Sequence, residues 1–113
     1  MIFTLYIDEN AIPVNVPDEL VQGADEVFKK IDADMDRGWQ MGRQWVDNPE
    51  LEQRCQIAVE KMVTAYDTNN QKLAMMMAGY IMARAPLIRI AKVPTNGEIQ
   101  DIELLMTENP MPM

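Results

Sequence analysis

The side chains that could do chemistry in this chain are carboxylates, lysines, arginines, tyrosines and one thiol. The 113 residues include no histidine and no serine, and the single cysteine is Cys55. Serine–histidine and cysteine–histidine nucleophile pairs, histidine acid–base catalysis and His/Cys zinc sites are therefore excluded within the chain. Because Cys55 lies in an apolar helical stripe, we expect a small buried hydrophobe rather than a reactive thiol. The sequence thus favours a protein without catalytic residues of its own.

Two tryptophans and nearby cationic side chains are the best candidates for ligand binding. Gly38 and Gly42 stand four residues apart on an apolar stripe, next to Trp39 and Trp45. Glycine inside a helix costs about 1 kcal/mol relative to alanine, so close packing against a neighbouring element is the simplest explanation. The alternative is a slot in which an arginine receives an acidic group. The residues of that slot would be Trp39, Arg43, Trp45, Tyr80 and Arg84.

An acidic run at residues 32–38 begins like a calcium-binding loop but lacks the ligands to complete one. The EF-hand pattern needs glycine at its sixth position and a bidentate glutamate at its twelfth. Here those positions hold Arg37 and Arg43. The run is therefore interpreted as a solvated acidic helix face, and no metal site or cofactor is predicted.

Methionine is unusually common, with eleven residues that include the run Met75–Met77. Three consecutive helical residues point in three directions, so they cannot all contact one site. Thioethers can bind Cu(I), but methionine is also an adaptable core residue and is enriched on promiscuous binding surfaces. We rank core filling first, a partner-binding surface second and copper third.

Composition and charge favour one cytoplasmic domain. Apolar residues make up 48% of the chain and the net charge is −8, which opposes binding to nucleic-acid phosphates or anionic lipid. A lone cysteine and the lack of a basic region followed by an apolar run favour a cytoplasmic location. We expect no nucleic-acid or membrane partner, a single globular domain at 1–106 and a flexible tail at 107–113.

The uncharged segment 73–83 predicts the central helix of the core. It is too short to span a bilayer, which needs about 20 apolar residues. A helix that is apolar on every face must be buried on every face. A three-helix protein of this size has little surface to cover it, so we expect a sheet and a second subunit or protein partner to contribute.

The elements predicted around that helix form an α+β fold. Residues 2–7 and 11–16 alternate as two strands of an amino-terminal hairpin, and Pro13 puts the second strand at an edge. Three amphipathic helices are predicted, at about 18–46, 49–67 and 71–84. A carboxy-terminal hairpin, 87–93 with 98–105, completes a small antiparallel sheet packed on the helices. The alternative is a mostly α three-helix domain.

The leading functional hypothesis is a small interaction or accessory protein that works through protein–protein contacts, as a homodimer or with another protein. The alternative is a small-molecule binding protein or minimal enzyme that uses the Trp/Arg slot. A third hypothesis, an acidic mimic of nucleic acid, follows from net charge alone.

Overall fold

The two ends of the chain meet in one mixed β-sheet. The structure is a computed structural model that describes residues 1–106. In chain order its elements are β1 (Ile2–Ile7), β2 (Asn10–Asn15), α1 (Asp18–Gly23), α2 (Asp25–Asp36), β3 (Trp39–Met41), β4 (Gln44–Val46), α3 (Leu51–Asp67), α4 (Gln71–Arg84), β5 (Ile90–Val93), a 3-10 helix (Ile99–Asp101) and β6 (Glu103–Leu105). The predicted tail at 107–113 lies outside the described residues.

The sheet has the strand order β2–β1–β5–β6 and is antiparallel except at its centre, where β1 and β5 run parallel. The α+β class, the amino-terminal hairpin and the carboxy-terminal strands are confirmed. The expectation of an entirely antiparallel sheet is wrong. Neighbouring parallel strands need a long connection between them, and the four helices between β1 and β5 provide it.

Backbone bonding explains how proline is accommodated in β2. The Val16 N–H donates to the Met1 carbonyl at 2.7 Å, and the Met1 amino group donates to the Val16 carbonyl at 2.9 Å. Bonded and non-bonded pairs alternate along an antiparallel ladder, so Pro13, opposite Thr4, occupies a non-bonded position. The missing N–H of Pro13 therefore faces outwards, which agrees with the edge position of β2.

The single helix predicted at about 18–46 is wrong, because the segment forms α1, α2 and the β3–β4 hairpin. Gly38 has a φ of +107° and Gly42 a φ of +66°, both in the left-handed region that favours glycine. These glycines turn the chain out of the helix and then through the hairpin, where Trp39 pairs with Val46. Apolar spacings of three and four residues continued across the turns and resembled one helical stripe.

The other two helices match their predicted positions closely. Asn70 caps α4, as its side chain accepts a hydrogen bond from the Leu73 N–H at 3.1 Å. The N-cap of α3 is Glu50, which forms a reciprocal capping box with Gln53. Asn48, in the connection before the helix, adopts a φ of +45°.

Burial along α4 is complete only in its second half. Residues 77–82 are buried, whereas residues 73–76 are half-buried. Gly79 allows a close approach of α1, because a Cβ there would lie 3.2 Å from a methyl carbon of Leu20. The inner face of the sheet adds Phe3, Leu5 and Ala91 to the same core. Within residues 1–106, no helix is long and apolar enough to cross a membrane.

Substituting Gly38 with alanine tests the packing of the hairpin. A Cβ at Gly38 would stand 2.5 Å from the Trp45 ring. We expect Gly38→Ala to lower the free energy of unfolding by roughly 2–4 kcal/mol, from backbone strain and the clash together. Gly97→Ala is the matched control, because Gly97 has a φ of +72° but open space around it. It should lower the free energy of unfolding by about 1 kcal/mol. Urea unfolding measures both; equal losses would contradict the contact of Trp45 with Gly38.

Candidate functional site

A partly buried carboxylate, Asp32, joins three helices. The Tyr80 hydroxyl of α4 donates to Asp32 Oδ1 at 2.5 Å, and Arg84 Nε from the same helix donates to Oδ2 at 2.8 Å. Arg54 Nη1 of α3 donates to Oδ1 at 3.2 Å. We call these four residues the Asp32 network. Both oxygens of the carboxylate are thereby occupied by donors.

Arg54 extends the network to the start of α3. Its Nη2 donates to Asp36 Oδ1 at 2.7 Å and to Asn48 Oδ1 at 2.9 Å. Its Nε donates to the Pro49 carbonyl at 2.8 Å. One guanidinium thus holds the end of α2, the segment after the hairpin and its own helix together.

The pKa shifts in the network favour a structural role. Burial by itself would raise the pKa of Asp32, but hydrogen bonds from Tyr80 and Arg84, with the charge of Arg84, hold it below its usual range. Burial, followed by the hydrogen bond to Asp32, raises the pKa of the Tyr80 phenol well above its usual value. Asp32 therefore stays ionised, and the donors that bind it keep their protons. Such an arrangement holds helices together but is poorly suited to proton transfer.

The structure brings two of the five predicted slot residues, Tyr80 and Arg84, together. Both are engaged by Asp32, and Arg84 also pairs with Asp25 at 3.7 Å. Asp32 was predicted to lie on a solvated acidic face, and for this residue the interpretation is wrong. Tyr80 and Arg84 are spaced four residues apart in a segment that is otherwise apolar from residue 73 to residue 86. This spacing is the signal from which a shared acceptor could have been inferred.

The other three predicted slot residues, Trp39, Arg43 and Trp45, lie on or between β3 and β4. Trp45 Nε1 donates to Asp47 Oδ1 at 2.7 Å. The Lys61 ammonium lies 4.8 Å from the centre of the Trp39 ring. Each indole therefore has a partner within the chain, and ligand binding by the five residues stays a prediction.

Cys55 is buried, as its place in the apolar stripe predicted. Burial, with smaller contributions from the charges of Glu52 and Asp32, raises the pKa of the thiol to about 12. The thiolate required of a nucleophile is therefore scarce near neutral pH. Among residues 1–106, no group of three or more His, Cys, Asp or Glu side chains is arranged to hold a metal ion.

A groove of about 630 Å³ lies between β2 and the turn that joins α3 to α4. None of the five predicted slot residues lines it. Its walls are mostly apolar, and its rim carries amide side chains from the turn. We call it the β2–turn groove. No sequence pattern indicates this groove, because its walls come from β1, β2, α3 and α4 and share no local motif. The apolar wall residues are Leu5, Ile12, Pro13, Val14, Met62, Ala65, Ala74 and Met75.

Four large apolar side chains lie exposed where strands begin or end at one end of the sheet. The N–H of Arg89 donates to the Leu105 carbonyl, its carbonyl accepts from Thr4, and its guanidinium lies 4.0 Å from the Met1 sulfur. These contacts hold the starts of β1 and β5 beside the end of β6. We call the exposed set the sheet-end patch. Its members are Met1, Ile2, Leu87 and Met106.

Comparisons with protein-family models, with curated proteins and with solved structures found no match to this chain.

Replacing Asp32 with asparagine tests the importance of the network. The variant keeps the shape of the side chain but leaves the Arg54 and Arg84 guanidinium groups without their shared anion. We expect Asp32→Asn to lower the free energy of unfolding by about 2–4 kcal/mol. Asp34→Asn is the matched control at an exposed position of α2 and should change the free energy of unfolding by less than about 0.5 kcal/mol. Similar losses in the two variants in urea unfolding would refute the role assigned to Asp32.

Alkaline pH tests the Tyr80 hydrogen bond. Because folding raises the Tyr80 pKa, the stabilisation is fully present below the unfolded value of about 10 and is lost as pH rises above it. We expect wild-type protein to lose more stability than Tyr80→Phe between about pH 9 and pH 11. Tyr66→Phe, at an exposed position, should retain the wild-type decline. A Tyr80→Phe variant with an unchanged alkaline decline would show that Tyr80 is not responsible.

Proposed function

We propose that this protein is a small interaction or accessory protein that acts through protein–protein contacts and has no catalytic chemistry of its own. The sheet-end patch is the observation that supports this function. Its side chains are exposed by 42% at Met1, 49% at Ile2, 70% at Leu87 and 60% at Met106. Single exposed apolar residues are normal on a protein surface, whereas a group of them at one place is typical of an interaction site.

A homodimer is the assembly we propose. In a two-fold symmetric dimer the same patch is used by both subunits, so it must be complementary to itself. Apolar side chains meet this condition. The edge of the patch also carries both signs of charge, since Arg89 lies beside Met1 and the Met1 amino group lies 3.8 Å from the Asp18 carboxylate. The two-fold axis can therefore bring unlike charges from the two subunits towards each other.

Charge and cysteine chemistry support the remaining parts of this proposal. A net charge of −8 opposes binding to nucleic-acid phosphates and anionic membranes, so a protein is the preferred partner. The one cysteine, Cys55, is free and buried, as is common in reducing compartments. We therefore propose a cytoplasmic location.

A small-molecule site formed by the Trp/Arg slot is the second candidate. The proximity of Tyr80 and Arg84 is the observation in its favour. Their hydrogen-bonding groups, however, are directed at Asp32, and an acidic ligand would have to displace that carboxylate from Arg84. This competition is why protein–protein contact is preferred.

Charge placed in the sheet-end patch tests the proposed function. We expect wild-type protein to dimerise at micromolar concentration, and Leu87→Glu to raise the dimer dissociation constant by at least about tenfold, because burying the carboxylate is unfavourable. Leu51→Glu is the matched control, since Leu51 is exposed on α3 and lies outside the patch. Sedimentation velocity or native mass spectrometry over a concentration series reports the subunit count.

Two results would count against this proposal. A chain that stays monomeric at all concentrations and captures no protein partner would remove the support for an interaction protein. A dimer that Leu87→Glu leaves intact and Leu51→Glu breaks would move the interface from the sheet-end patch to α3.

A further inference from the structure

The β2–turn groove has the size and walls of a small-molecule site. Its volume of about 630 Å³ falls within the usual range for ligand pockets, roughly 300–1,000 Å³. Strands β1 and β2 form one wall, and α3 with the first turns of α4 forms the other. The flexible thioether of half-buried Met75 can adjust to the contours of a bound chain, whereas Met62 lies fully buried behind the groove wall.

The charge at the groove is opposite to that of the protein as a whole. The chain has 18 acidic and 10 basic residues, yet among residues 1–106 the only charged residue that lines the groove is Lys72. Lys72 lies in the first turn of α4, which contains no acidic residue. The positive end of the α4 dipole is offset here by the negative end of α3, whose last turn also lines the groove. Asn15 and Asn69 add amide groups at the rim. The Lys72 ammonium is therefore the group that favours a single negative charge at the groove.

The composition of the walls indicates the shape of the ligand. Aliphatic and thioether side chains predominate, and Tyr66 is the only aromatic residue among the described residues that line the groove. A peptide that added a strand to β2 would find no N–H donor at Pro13, whose backbone position faces the open edge. A flexible aliphatic chain places no such demand on the backbone.

We propose that the β2–turn groove binds a fatty acid, with its hydrocarbon chain between β2 and α3–α4 and its carboxylate beside Lys72. This site shares no residue with the sheet-end patch. It therefore goes beyond the proposed interaction function, and either proposal can fail without the other.

Methionine methyl groups give a direct test, because they report separately on the groove and on the core. The protein is labelled with [methyl-¹³C]methionine and titrated with decanoate. The NMR chemical shifts of the methionine methyl groups are recorded at each step of the titration. We expect the methyl signal of Met75 to shift most and that of Met62, which is buried behind the groove wall, to shift less, both with a common dissociation constant. The signals of Met35 and Met41, buried residues that do not line the groove, should stay in place.

Two comparisons isolate the role of the carboxylate. Lys72→Gln should raise the dissociation constant of decanoate by roughly threefold to tenfold and leave that of decanol unchanged. Lys30→Gln, at an exposed position of α2, is the matched control and should bind decanoate as wild type does. Decanol should bind the wild-type protein more weakly than decanoate.

Three outcomes would overturn the fatty-acid proposal. A Met75 signal that does not respond to decanoate would show that the groove is not its site. Equal affinity for decanol and decanoate, or no effect of Lys72→Gln, would remove the carboxylate from the proposal. Signals that shift when the protein alone is diluted would assign the groove to contact between two copies of the chain.

Discussion

The helical layer depends on one carboxylate, Asp32, which receives hydrogen bonds from α3 and from two side chains of α4. A carboxylate that loses water on folding is costly unless donors replace that water, and here Tyr80, Arg84 and Arg54 replace it. The same contacts satisfy groups that would otherwise be unpaired: the Tyr80 hydroxyl in the core and two partly buried guanidinium groups. A hydrophobic contact tolerates sliding, whereas these directional bonds specify how the three helices are placed relative to one another.

The network also constrains where a functional surface can lie. Tyr80 and Arg84 are used internally, and the two indoles of the β3–β4 hairpin have their own partners in Asp47 and Lys61. The side chains that were candidates for ligand binding are thus engaged in contacts within the protein. The apolar surface that remains accessible to a partner or ligand lies elsewhere, in the sheet-end patch and in the β2–turn groove. Both are largely apolar, which is why the functions proposed for this protein are binding functions.

Sequence patterns predicted the regular elements well where one periodicity ran without interruption. The strands of the first hairpin and the helices α3 and α4 are of this kind, as is the burial of Cys55. The prediction of one helix over 18–46 failed at the break between α1 and α2 and again at 38–46. In the second region, a two-residue alternation with glycine turns also placed apolar residues three and four positions apart. At the candidate site, the sequence pointed to Tyr80 and Arg84 but not to their partner Asp32, which is 48 residues from Tyr80.

What the sequence by itself determined are properties of composition and local order: the α+β class, the exclusion of histidine and serine chemistry, the negative charge and the positions of most elements. These follow from side-chain type and from spacings of a few residues. The tertiary structure decided the parallel pairing of β1 with β5, the association of Asp32 with its donors, and the assembly of the groove from four elements. Each of these joins residues far apart in the chain. The periodicity of a sequence predicts local structure, but it does not specify which distant segments come into contact when their apolar faces are buried.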